Sequence, residues 1–262
     1  MSDLHEFVAY RLSWLGGLII GVCALGAALA IISVAKAPDV SSQRVAADSQ
    51  IIFEEAFEGG LGEGWRAIDA ASDLDGGEYA WGTTGDFVSS SPSHSAWCVG
   101  GGQYGDDLIA GTDGYPNTVD SWLIYGPIDL TDALDGYFRF NWWLDTLEPV
   151  TGDNESASLQ AFDGDSGTPE GGDWFGWCIL TEEDDLDGTR CTYMSGSTGT
   201  WVRGAVPLAD YLPNNGDGAG EIWIAFRFVS DDDPNNGRGA FVDDVTVEIR
   251  RHNRAFPPLV RR

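Results

Sequence analysis

The chain has 262 residues, 43% of them apolar and 12% aromatic, which suffices for one large folded domain or two small ones and excludes a disordered polypeptide. Acidic residues outnumber basic ones by 42 to 14, a formal net charge of −28, so a naked polyanion such as nucleic acid is repelled and is not an expected partner. The imbalance is uneven: residues 50–249 hold 38 Asp and Glu against six Arg, whereas "RRHNRAFPPLVRR" at 250–262 holds five Arg. With 29 Asp, 13 Glu and a single lysine, Lys36, the surface suits high salt, divalent cations or a GC-rich genome.

In chain order, residues 1–13 read as a short cytoplasmic segment. Residues 14–35, "WLGGLIIGVCALGAALAIISVA", are uncharged and mostly apolar, and at about 1.5 Å per residue they cover roughly 30 Å of hydrocarbon, a single transmembrane helix. A cleaved signal peptide is the competing reading, since Ala35-Lys36-Ala37 is a small-x-small site, but the apolar run is long for a signal core and Pro38 follows at once. Gly17, Gly21, Ala24 and Ala28 form a small-residue stripe on which a second helix could pack. Residues 36–50 are polar and aperiodic, a linker.

From Ile51 to about residue 250 short alternating runs are separated by Gly, Asp, Asn and Pro clusters, an all-β pattern. Phe138, Phe140, Trp142 and Leu144 share one face of "GYFRFNWWL", and Ile222, Ile224, Phe226 and Phe228 share one face of "EIWIAFRFV". Both faces are expected core. Trp143 and Trp223 have the opposite parity and are expected to point outward, where rings could stack on sugars. In "AFVDDVTVEI" Asp243 falls at the parity of Phe241, Val245, Val247 and Ile249, and in "IIFEEAFEGG" Glu55 falls at that of Phe53 and Phe57. A carboxylate aimed into a core needs several hydrogen bonds or a hard cation such as calcium.

Several motifs carry less than their letters suggest. "GDSG" at 164–167 is the tetrapeptide around the nucleophile of trypsin-like proteases, yet Thr168 replaces the usual second Gly and His94, the only His between residues 50 and 250, sits in a polar turn without the expected context. It reads as a loop. "DDDPNNGRGAFV" puts Gly at the seventh position and Val at the twelfth, so it is not an EF-hand. "GGGQYG" at 100–105 has no following helix to hold a phosphate. Cys178 and Cys191 flank an acidic loop that a hairpin would close, a candidate disulfide in an exported domain, which leaves Cys98 as a buried free thiol.

"FEGGLGEGWRAIDAASDLDGGEYAWGTT" at 57–84, "DSWLIYGPIDLTDA" at 120–133, "IWIAFRFVSD" at 222–231 and "GAFVDDVTV" at 239–247 resemble MAM domains and the related bacterial choice-of-anchor domains, in order, over residues 51–250. The resemblance implies a MAM/concanavalin-like, jelly-roll-like antiparallel β-sandwich outside the cytoplasm that binds rather than catalyses. By position it also implies a structural calcium site drawing on Glu58, Asp73, Asp75 and Asp243, so motif and parity agree on Asp243 and differ between Glu58 and Glu55. The cysteine framework of animal MAM domains is absent.

Together these features describe a single-pass cell-membrane protein with an extracytoplasmic sandwich at 51–250 and a basic tail at 251–262. If its first and last strands pair, Arg250, Arg251 and Arg254 lie near the membrane or an acidic subunit, or else fold back on the acidic body. The small-residue stripe and basic tail favour an accessory subunit of a membrane complex; the alternative is a surface adhesion module for glycans or proteins, and a hydrolase is the third reading.

Overall fold

The computed structural model describes residues 48–147, 157–177, 180–181, 196–208, 212, 220–232 and 236–251. The predicted span with Gly17, Gly21, Ala24 and Ala28, the Cys178–Cys191 pair, and Arg254 lie outside them. No helix among the described residues is long and apolar enough to cross a membrane.

Among the described residues twelve strands follow in order: β1 (Asp48–Glu55), β2 (Trp65–Asp69), β3 (Ala80–Thr84), β4 (Ser95–Gly101), β5 (Asp120–Asp129), β6 (Ala133–Asp145), β7 (Ser158–Gly164), β8 (Trp174–Trp177), β9 (Leu180–Thr181), β10 (Val202–Pro207), β11 (Glu221–Val229) and β12 (Gly239–Arg251). The single helical turn among the described residues is a 3-10 turn at Gly105–Asp107. One sheet runs β3-β4-β12-β6-β10-β9 with β1 added beside β12, and the other runs β2-β5-β11-β7-β8. Every described strand–strand pairing is antiparallel. The all-β expectation holds.

The two sheets face each other through the sets expected from period-two alternation. Phe226 of β11 meets Phe138 and Phe140 of β6 with ring centroids 5.2 and 4.8 Å apart, and lies 6.1 Å from Trp81 of β3. All four rings are essentially inaccessible to solvent. Removing such apolar area from water is the main source of stability for a sandwich without described cross-links. Cys98 belongs to this core as a free thiol whose pKa burial pushes far up, so it stays protonated and unreactive at neutral pH.

β12 departs from simple alternation. Asp243 pairs with Asn141 and Thr246 with Arg139, so three steps on β12 match two on β6, and Asp244 at the bulge has φ +49°. One extra residue reverses parity. Val245, Val247 and Ile249 face the core as expected, but Phe241 and Asp243 lie on the outer face opposite Trp143 and Asn141. Asp243 is buried, though not in the core between the sheets.

What buries it is the β3–β4 connection, residues 85–94, folded across that outer face as a strap. Phe87 meets Trp143 edge-on at 5.0 Å and Phe241 at 5.4 Å, while Trp97 of β4 stacks on Phe241 at 5.8 Å and 6° between planes. Trp143 is therefore only 7% exposed, which corrects the expectation that it stands outward as a ligand platform.

β1 pairs with β12 from Asp48↔Arg251 to Glu55↔Val245, three residues upstream of where alternation becomes legible. First and last strands are thus antiparallel neighbours. Arg250 and Arg251 are strand residues rather than a loose tail: Arg250 Nε donates to Asp135 Oδ1 at 3.0 Å and Arg251 Nη1 to Gln50 Oε1 at 3.3 Å. Arg250 thus contacts an acidic residue of the sandwich, and Arg251 a neutral one of β1.

Candidate functional site

The five carboxylates expected at a cation site separate into three groups. Asp73 and Asp75 stand exposed in the loop after β2, which is shaped by Asp69: its carboxylate accepts the backbone N–H groups of Ala71, Glu78 and Tyr79. Glu55 faces inward as parity requires, is half-buried, and accepts the Phe57 N–H at 2.8 Å, helping Phe57 hold φ +55°. Glu58 and Asp243 meet at the strap. Among the described residues no three Asp, Glu, His or Cys side chains form a group that could hold a metal ion.

Asp243 Oδ2 accepts the N–H groups of Ser90 and Ser91 at 2.7 and 2.8 Å, and Oδ1 accepts the Asp244 N–H at 2.8 Å. Glu58 Oε1 accepts the N–H groups of Ser93 and His94, each at 3.0 Å, and Oε2 accepts the Ser93 hydroxyl at 2.5 Å. Ser91 Oγ lies within hydrogen-bond distance of both carboxylates, 3.2 Å from Glu58 and 2.9 Å from Asp243. Backbone donors and hydroxyls thus compensate the buried Asp243 and hold the exposed Glu58 in place beside it. The motif-derived Glu58 joins Asp243 here, and the parity-derived Glu55 does not.

The pair titrates in opposite senses. The Ser93 hydroxyl, the Ser93 N–H and the His94 N–H hold Glu58 at about 2 against an ordinary 4.5, whereas burial pushes Asp243 up and the strap's hydrogen bonds pull it only part of the way back. A depressed carboxylate contributes stability that is complete above its unfolded pKa and lost as pH falls towards its folded one; the raised Asp243 has the reverse sign and gains from protonation. Thermal midpoints are therefore expected to fall between pH 4.5 and about 2, and Glu58→Gln should flatten that limb. An acid limb as steep in the variant as in the parent protein would remove Glu58 as its source.

His94 does not complete a catalytic triad. Ser93 Oγ lies 2.8 Å and Glu58 Oε2 3.4 Å from the same ring nitrogen, Nδ1, whereas a relay needs base and orienting acid on opposite nitrogens. Ser166 of "GDSG" accepts the Thr168 N–H at 3.2 Å, a local turn.

That loop belongs to a different surface, the outer face of the five-stranded sheet. Cross-strand pairing sets three rows there: Ile68, Trp122, Arg227 and Gln160; then Arg66, Ile124, Ala225 and Phe162; then Trp223, Gly164 and Trp174. Trp122 lies 5.2 Å from Phe162 and 5.5 Å from Trp174. Arg227 covers Trp122 at 5.1 Å and grips Asp120 through two bonds of 2.7 Å, while Trp122 Nε1 donates to the same carboxylate at 3.0 Å. Phe162, Trp174 and Trp223 remain half-exposed.

Glycines make room for the indoles. A Cβ on Gly126, at φ +148°, would come within 2.7 Å of Trp223 Cδ1, and one on Gly164 would run into the Trp174 ring. The "GDSG" loop then arches back over the face: Gly167 O accepts from Arg66 Nη1 at 3.1 Å, Thr168 O accepts from Trp174 Nε1 at 3.0 Å, and Gly167 lies against Trp223. Trp223 was legible by parity. Trp174 and Phe162 were not, because the short strands β7 and β8 carry too few alternations to fix a face.

No protein-family profile and no curated protein matches the chain. Among solved structures, the chain is similar to the K1 cleaved adhesin domain of Lys-gingipain from Porphyromonas gingivalis W83, with 18% identity over 78% of this chain and 98% of that one, TM-score 0.46. It is also similar to a mannan-recognising carbohydrate-binding module, TmCBM27, with 11% identity over 78% and 99% of the two chains, TM-score 0.35. A family 11 carbohydrate-binding module from Clostridium thermocellum shows 14% identity over 78% and 96%, TM-score 0.36.

Proposed function

We propose that the chain is a non-catalytic recognition module that binds a glycan through the outer face of its five-stranded sheet. One observation carries this reading: Trp174, Trp223 and Phe162 form a contiguous, half-exposed aromatic surface beside the exposed Arg66. The apolar C–H face of a pyranose stacks on such rings, and its hydroxyls take hydrogen bonds from guanidinium and amide donors at the rim, here Arg66 and Gln160. The Asp120–Arg227–Trp122 lock keeps the floor of the surface rigid before any ligand arrives.

The surface favours the adhesion reading over an accessory subunit, which the small-residue stripe at 17–28 and the basic tail at 251–262 had suggested. A MAM-like module displayed outside the membrane behind an anchor at 14–35 is the setting in which we place it. The test is binding of the purified chain to an array of neutral α- and β-linked hexose polymers, followed by calorimetry. Saturable binding to at least one polymer is expected, and silence across the array removes the glycan reading.

A further inference from the structure

At the end of the sandwich where β3 begins and β4 ends, two loops present apolar side chains to solvent. Leu74, between β2 and β3, is 43% exposed, and Tyr104, between β4 and the 3-10 turn, is 44% exposed. Tyr104 lies 5.9 Å from the half-buried ring of Tyr79, tilted by 48°. Gly77 ties the loops together: its N–H donates to Leu74 O at 2.9 Å and its carbonyl accepts the Gln103 N–H at 3.0 Å, while Glu78 O accepts the Tyr104 N–H at 3.0 Å. The surface is therefore formed before anything binds. Exposed apolar groups rimmed by polar ones mark an interaction surface.

The rim has one sign. Asp73, Asp75 and Glu78 on the first loop and Asp106 and Asp107 on the 3-10 turn are all exposed, and no Lys or Arg occurs between Arg66 and Arg139. A complementary partner is apolar in the middle and cationic at its ends. The chain itself contains one such stretch, "RAFPPLVRR" at 254–262, with Phe256, two prolines, Leu259 and Val260 between flanking arginines. Pro257-Pro258 holds that stretch extended in advance, which lowers the ordering cost of laying it along tyrosine rings.

Reach decides whose surface it meets. Trp97 of β4 is antiparallel to Phe241 of β12, so the loop after Gly101 lies on the far side of that pair from Arg251. From Phe241 to Arg251 the strand alone covers about 33 Å, whereas the eight residues from Arg251 to Leu259 span at most about 28 Å when fully extended. The stretch cannot lie on its own Tyr104.

We propose that residues 254–262 of one copy dock on the Leu74–Tyr104 surface of a second copy, with Phe256 and the prolines against the tyrosines and the arginines paired with the acidic rim. The contact joins two different surfaces, so copies associate head to tail. It shares no residue with the aromatic face, and silence on the glycan array leaves it untouched.

The test uses the full chain in mild detergent and a fluorescently labelled peptide of residues 252–262 as probe. Saturable binding is expected at low salt, weakening by about tenfold as salt is raised. Leu74→Ser with Tyr104→Ser should weaken it by about tenfold or more without unfolding the protein, since both side chains are exposed. A peptide of the same composition in shuffled order should bind about tenfold more weakly than the probe. No saturable binding, an equally good shuffled peptide or an unaltered double Ser variant would each overturn the surface. Sedimentation then tests the second copy. Phe256→Ala with Leu259→Ala disables the docking stretch, and the double Ser variant disables the surface. Mixed in equal amounts above the peptide Kd, the two are expected to gain a salt-sensitive one-to-one association that neither shows alone. A mixture that sediments as its separate components would overturn docking between copies.

Discussion

Asp243→Ala is expected to destabilise the protein by about 2–3 kcal/mol, lowering the thermal midpoint by roughly 5–10 °C. The carboxylate terminates the N–H groups of Ser90, Ser91 and Asp244. Alanine leaves all three without their acceptor and frees the strap from β12. The lower end of the range for lost buried partners applies because Ser90 is exposed and water can reach part of the gap. A second readout separates this cause from general damage: the strap carries Phe87, which covers Trp143 and Phe241. Loosening it should red-shift tryptophan emission and raise quenching by acrylamide below the melting transition. A variant that melts within about 1 °C of the parent, with unchanged emission, would show that the strap does not depend on this residue.

The second large effect concerns binding. Trp174→Ala and Trp223→Ala should each weaken affinity for the glycan found on the array by about tenfold or more, the loss expected for an aromatic anchor at the centre of a contact. Both rings are half-exposed and outside the core between the sheets, so the melting temperature should move little. Trp143→Ala is the contrasting variant. Its ring is wedged between Phe87 and Phe241, and losing it should cost about 3 kcal/mol of stability with glycan affinity unchanged in the folded protein. Equal loss of glycan affinity in all three variants would mean the aromatic face is not the site.

Much of the core could be read from alternation because it obeys one rule: β6 and β11 are long, regular strands, and their inward sets are those that period-two spacing selects. The strand that failed was β12. Its bulge at Asp244 inserts one residue, and nothing in "AFVDDVTVEI" distinguishes a bulged strand from a straight one, so Phe241 and Asp243 were placed on the wrong face. Trp143 failed for a related reason: parity correctly sets its direction, but a strap from residues 85–94 covers that direction, and long-range coverage leaves no local periodicity. Glu58 was legible only through the motif resemblance, since its partners Ser91, Ser93 and His94 lie more than thirty residues away. The aromatic face was half legible. Trp223 announced itself, but Gly126 and Gly164, which give two indoles their places, read as ordinary glycines until their neighbours are known.

The pairing of Asp48 with Arg251 has a mechanical consequence. Chain enters and leaves the sandwich at one corner, so tension between those two points would peel β1 from β12 one bond at a time, a weak arrangement. Tension between β1 and a ligand held on the opposite sheet instead loads the β1–β12 bonds together, in shear. Held at the start of β1 and at a ligand on the opposite sheet, the module would thus be strained along its resistant direction, while the end of β12 would carry no load.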